Sequence, residues 1–274
     1  MAGAGSQPPG YPRRVSSDAA LAAVLDRLAT ARPRVAAEAG KPHAEERLLA
    51  EVVADLAGEQ ALARLSGALD VPGDFERSVL WGADPLTGLD DMALAGALRD
   101  ALPGLGRAAL LDAEPDLVVV TDAAVCVVDA TIGRPGHAAA RARRGEPVPP
   151  PVVDAVAAAL SDHGIGLSRE DTTRHLAAAR LTAVALGLAA RLDREAIAVA
   201  LGAPTADLLH PDHDPLSEWA WSAGVLHARG DAAVVLRACT WLALARGLEG
   251  TAATRAAVLR IRAHPVVAVR SDAD

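Results

Sequence analysis

Lysine is almost missing from this sequence: Lys41 is the only one, and every other member of its 27 basic residues is arginine. Chemistry that demands an amine must use Lys41 or go without. Aromatic residues make up 2% of the chain, namely Trp81, Trp219, Trp221, Trp241, Tyr11 and Phe75, so any core is built from Ala, Val and Leu. The two cysteines, Cys126 and Cys239, stand far apart with no C-x-x-C spacing. That excludes a disulfide framework or a zinc finger and predicts reduced thiols in a cytoplasmic protein, with Cys126 as packing inside an apolar run. No apolar run reaches the eighteen or so residues of a membrane span. Residues 1–12 are Gly/Pro-rich and lack the apolar stretch of a signal peptide. No membrane partner is expected. A net charge of −8 removes any broad electrostatic grip on nucleic acid and leaves such binding to a local patch.

What is present reads as globular, with 51% hydrophobic and 23% charged residues over 274 positions. Residues 1–16 read as a flexible arm. Ser17 or Asp18 caps a helix over 19–31, which Pro33 stops. A second helix from about Pro42 carries Leu48, Leu49, Val52, Val53, Leu56, Leu62 and Leu65 at helical spacing. A short apolar run at 78–81 reads as a strand, 90–102 as a helix and 107–111 as another strand. The clearest strands are 117–120 and 124–128, rich in β-branched residues. An Arg- and Pro-rich loop fills 133–151. Beyond it helices are expected at 152–162, 169–191, 193–201, 216–229, 231–247 and 251–262, with a faint helix-turn-helix cadence over 192–203, and one more strand at 264–269. The expected organisation is an arm (1–16), an α+β core (17–165), an alanine-rich all-α region (166–262), and a C-terminal tail or edge strand (263–274).

The informative segment runs from Glu114 to Thr131, EPDLVVVTDAAVCVVDAT. Pairing its two apolar runs as a hairpin with Asp122 and Ala123 at the turn sets Asp116 opposite Asp129. Directly opposed residues share a face at Cβ separations of about 4.5–5.5 Å, and alternation adds Thr131 to that face. Two carboxylates so close repel each other unless a cation lies between them, and oxygen donors suit Mg²⁺. A slip of one residue sends one carboxylate to the other face, and aspartates bounding a hairpin also serve as plain turn and cap residues.

This string resembles the active-site hairpin of the PD-(D/E)XK nuclease superfamily, the restriction-endonuclease-like fold. Pro115-Asp116 matches the Pro-Asp that begins one strand, and Asp129-Ala130-Thr131 stands where an acidic-X-Lys triplet follows on the next. Glu51, on the helix before the sheet, matches the acid many members carry there, with Glu46 as the alternative. The resemblance covers residues 45–145 or so. It implies a small mixed sheet flanked by helices, Mg²⁺ or Mn²⁺ as cofactor, and metal-assisted phosphodiester hydrolysis with Glu51, Asp116 and Asp129 as ligands. Threonine at 131 replaces the signature lysine, and Lys41 is badly placed to stand in. Arg134 supplies a cation three residues on, but a guanidinium stays protonated and is no base. No strand is read after helix 152–162, where that fold adds one.

Arg134, His137, Arg141, Arg143 and Arg144 form a local basic patch beside the hairpin, suited to a phosphate backbone and equally to a solvated arginine loop. His210, Asp212, His213 and Asp214, with Glu218 near, offer donors of the kind zinc takes, although Pro211 and the aspartates read as ordinary punctuation between helices. Trp219 and Trp221 cannot both face the core from one helix, so one is read as core and the other as a candidate anchor for a protein partner or self-association. Three functions follow: a nuclease-like protein acting on nucleic acid, or a degenerate descendant of one; a non-catalytic interaction protein on the same fold; and a metal-dependent hydrolase built on His210 and His213.

Overall fold

A computed structural model describes residues 15–40, 45–58, 60–107, 110, 113–130, 150–202, 215–230, 232–249 and 254–263. Among them lies one five-stranded mixed sheet between two layers of helices, an α+β architecture. The strands are β1 (Phe75–Leu80), β2 (Leu117–Thr121), β3 (Ala124–Ala130), β4 (Glu195–Gly202) and β5 (Val234–Thr240), and they stand in the sheet in that order. The first three form an antiparallel meander; β4 and β5 continue it in parallel with β3.

Each strand pair is joined as its chemistry dictates. The β2–β3 connection is a tight turn, which antiparallel strands allow. The parallel steps need crossovers: α6 (Pro150–Asp162), α7 (Arg169–Arg174) and α8 (Leu176–Leu192) before β4, and α9 (Pro215–Ala228) before β5. These helices pack with α5 (Met92–Ala101) against the face carrying Val118, Val120, Val125, Val127, Ala196 and Ala198. The other face, with Leu117, Val119, Cys126, Val128, Ile197 and Val199, is covered by helices near both ends of the chain. Those are α1 (Val15–Ala31), α2 (Pro33–Ala39), α3 (Glu45–Gly58), α4 (Arg64–Ala68), α10 (Trp241–Leu248) and α11 (Arg255–Ala263). Small Ala, Val and Leu side chains on both faces let the helices sit close, so the core needs few aromatics. Trp241 and Trp81 fill one side and Trp219 the other, whereas Trp221 is 56% exposed.

Several expectations need correction. Segments 193–201 and 231–247 are not helices: β4 lies in the first, and the second divides into β5 and α10 at Thr240, whose hydroxyl caps Ala243 N–H at 3.1 Å. The 192–203 stretch is therefore no helix-turn-helix, and residues 166–262 are not all-α, because two strands of the common sheet come from them. Burial on both faces explains the misreading of β4, since an inner parallel strand shows a continuous apolar run rather than alternation. The missing strand after helix 152–162 is β4, reached through α7 and α8. Of the strand expected at 107–111, the described residues Arg107 and Leu110 are helical instead, and Leu110 N–H bonds Gly106 O at 3.1 Å. The helix from Pro42 ends at Gly58, the 169–191 helix breaks at His175, and α1 begins at Val15, inside the expected arm. The strand expected at 264–269 lies outside the described residues. No helix among the described residues is long and apolar enough to cross a membrane.

Candidate functional site

The β2–β3 hairpin has the register the sequence predicts: Leu117 faces Val128, Val118 faces Val127 and Val119 faces Cys126, so the next positions outward are Asp116 and Asp129. Thr121 fixes the turn from inside, its hydroxyl donating to Pro72 O at 2.6 Å and accepting Ala124 N–H at 2.8 Å. At the other end a sharp reversal at Trp81 (φ 49°) and Gly82 (φ 79°) closes β1. There Trp81 N–H bonds Asp116 O at 3.0 Å, which anchors the backbone of the first acid.

Asp116 and Asp129 project toward the α5–α9 layer and are half-buried. The Asp116 carboxylate accepts the Ala130 N–H at 2.7 Å, a bond from the facing strand. Burial lifts its carboxyl to about 8; the negative Asp129 adds to the rise, the Ala130 bond and Arg180 oppose it, and Glu46 raises it further. Asp129 carries an ion pair with Arg180 of α8, whose second nitrogen donates to Ala113 O at 2.7 Å. Two facing acids thus share one arginine, which touches only one of them.

The helix acids divide differently from the expectation. Glu51 is paired with Arg47 at 2.7 Å and with Arg260 at 3.2 Å, and Arg260 also holds Asp55 at 2.5 Å. This cluster ties α3 to α11. Glu46, the second residue of α3, is the helix acid whose charge acts on Asp116. The structure therefore brings together Asp116, Asp129 and Arg180, leaves Glu46 as a charge felt by Asp116, and pairs Glu51 with Arg47 and Arg260. Glu218 lies in the first turn of α9. Thr131, Arg134, His137, Arg141, Arg143, Arg144, His210, Pro211, Asp212, His213 and Asp214 lie outside the described residues. Among the described residues, no three His, Cys, Asp or Glu are grouped to hold a metal ion. Cys126 is buried in β3, with its thiol pushed up to about 12 by burial, an inert packing residue.

Arg180 is the site residue sequence reasoning missed. A signal existed: α8 reads LAAARLTAVALGLAARL, and Arg180 is its only charge before the last turn. A lone arginine in a helix that is otherwise buried needs a partner. A second buried ion group stands close in sequence. Arg32 donates to both oxygens of Glu114 at 2.5 and 2.6 Å and to Asp90 at 2.7 Å. Compared with protein families, curated proteins and solved structures, the chain matches none of them.

Proposed function

We propose that this chain is a nuclease-like protein of the PD-(D/E)XK kind, whose Asp116–Asp129 hairpin binds Mg²⁺ or Mn²⁺ and acts on nucleic-acid phosphodiesters. The observation that carries the reading is Asp116 directly across from Asp129 at one end of a β1–β2–β3 meander that crosses through helices into parallel β4. The donor chemistry fits the ion. Mg²⁺ is content with one or two carboxylates, its other positions going to water and substrate phosphate oxygens. A buried carboxylate that already faces a second negative charge is one that a divalent cation relieves. When bound, the ion would polarise the phosphodiester and acidify a water. The chain's own residues do the rest: Asp116 and Asp129 orient the cation, the Ala130 N–H aims the Asp116 carboxylate, and Glu46 adds attraction from α3.

A second reading has its own support. Arg180 already neutralises Asp129, and threonine stands at 131 where the family has lysine; both favour a descendant that keeps the fold and binds without cutting. One experiment separates the two. Single- and double-stranded DNA and RNA are incubated with the protein and Mg²⁺ or Mn²⁺, beside Asp129→Ala. Cleavage lost in the variant supports hydrolysis at the hairpin. Metal-dependent binding without cleavage supports the non-cutting form. Cleavage indifferent to Asp129→Ala, or no metal-dependent effect at all, sinks the assignment.

A further inference from the structure

The hairpin brings two acids and no cation, and the cation arrives from a helix 51 residues away. Arg180 lies on α8, most of whose residues are buried, with its side chain 15% exposed. Holding a guanidinium there costs solvation that only charge pairing and hydrogen bonds offset. Its two anchors differ in kind. One is the Asp129 carboxylate, which a metal ion would contest. The other is the neutral Ala113 carbonyl, three residues before Asp116, which a change at Asp129 leaves in place. These bonds engage two of the guanidinium's five N–H groups. Asp116 takes no contact from Arg180 and keeps the Ala130 N–H instead.

We propose that Arg180 is the resident cation of this site: it holds Asp129 until a divalent ion takes that carboxylate, and its guanidinium, kept in place by Ala113, then receives a phosphate oxygen of bound nucleic acid. The inference rests on the reading of the hairpin as a metal and nucleic-acid site. A guanidinium is always charged and forks well onto phosphate oxygens, but takes no proton, so Arg180 covers the charge of the absent lysine and not proton transfer.

Competition for Asp129 and attraction to phosphate have opposite consequences for one substitution. In Arg180→Met the metal loses both a competitor and a like charge, so Mn²⁺ measured by calorimetric titration should bind about tenfold tighter. The same variant should hold a hydrolysis-resistant phosphorothioate oligonucleotide about tenfold more weakly in Mg²⁺, read by fluorescence anisotropy. Arg180→Lys keeps the charge but loses the fork, so Mn²⁺ affinity stays near wild type while the oligonucleotide weakens two- to threefold. Should Arg180→Met fail to fold, the Arg180→Lys pair of affinities decides alone. A residue that merely braces the fold lowers both affinities or neither, and either result overturns the proposal. Wild-type protein that binds no more Mn²⁺ than Asp129→Asn overturns the hairpin reading itself, a different failure from an Arg180 variant that leaves a real Mn²⁺ site unmoved.

Discussion

Two ion groups, which meet in the sequence at Glu114 and Asp116, show opposite designs. Around Arg32, one guanidinium meets both its acids: two nitrogens on Glu114, a third contact to Asp90, with Arg32 and Glu114 side chains 5% and 8% exposed. Around Arg180, one guanidinium meets one acid of two, and the unserved Asp116 has a like charge as its strongest charged neighbour. Each group sums one arginine against two carboxylates, so composition does not distinguish them. Connectivity does. A closed group fastens α1 and α2 to the segment leading into β2; an open one retains a demand for positive charge. Burial opposes the charge on Arg32, but its two carboxylate partners outweigh that and hold it above its ordinary value. Glu114, raised to about 7 by burial, is therefore the member that takes a proton as pH falls.

The largest effect should come from emptying the closed group. Arg32→Met leaves Glu114 buried without a cation and should cost about 3–5 kcal/mol in urea unfolding. The loss grows with rising pH, because a protonated Glu114 needs no partner. A cost under about 1 kcal/mol would dissolve the contrast between the groups, since exposed pairs are worth that much. Gly82→Ala tests the same group from outside. Its φ of 79° disfavours a side chain, and an added Cβ would stand 2.4 Å from Arg32 Nη2 and 2.5 Å from Glu114 Oε1. A loss of about 2–3 kcal/mol is expected from the strained backbone plus the disturbed ion group.

The open group should respond with the opposite sign. The Asp116 carboxyl is raised from 3.8 to about 8, so the folded chain keeps a proton that the unfolded chain releases. Wild-type stability then falls as pH rises through that interval and levels off above it. Asparagine keeps an oxygen for the Ala130 N–H without the charge. Asp116→Asn should flatten the slope and stand about 1–2 kcal/mol above wild type at pH 8, a figure discounted for partial exposure. Saturating Mg²⁺ should likewise raise the wild-type melting temperature at pH 8 and leave Asp116→Asn unchanged. Glu114 contributes its own falling slope up to about pH 7, so a profile that Asp116→Asn leaves unchanged would place Asp116 with the closed kind.

How much of this was legible in the sequence depends on how local the cause is. The hairpin register was legible, because β-branched runs, a two-residue turn and the paired aspartates all lie within eighteen residues. The strands β4 and β5 were not, because EAIAVALG and VVLRACT are alanine-containing runs. Their strand form follows from neighbours supplied by distant segments, which override weak local preference. Arg180 was hidden for the same reason: its partners, Asp129 and Ala113, come from another stretch of chain. The choice between Glu46 and Glu51 also turned on α11, which brings Arg260 to Glu51.

That choice yields the smallest and most discriminating effect, since both acids lie on α3 and similar sequence arguments apply to each. Glu51 belongs to a completed cluster with Arg47, Arg260 and Asp55, so it should behave like a small version of the Arg32 group. Glu51→Gln should cost about 1 kcal/mol of stability by urea unfolding and leave Mn²⁺ titration unchanged. Glu46 adds negative charge near Asp116, so removing it makes the site less attractive to a cation and relieves some repulsion. Glu46→Gln should weaken Mn²⁺ about two- to threefold with no loss of stability, an effect that shrinks as salt screens the half-buried charge. If the two variants exchange these behaviours, α3 presents Glu51 to the metal and the cluster with Arg260 is the open group, so the division between closed and open would have to be redrawn around α11.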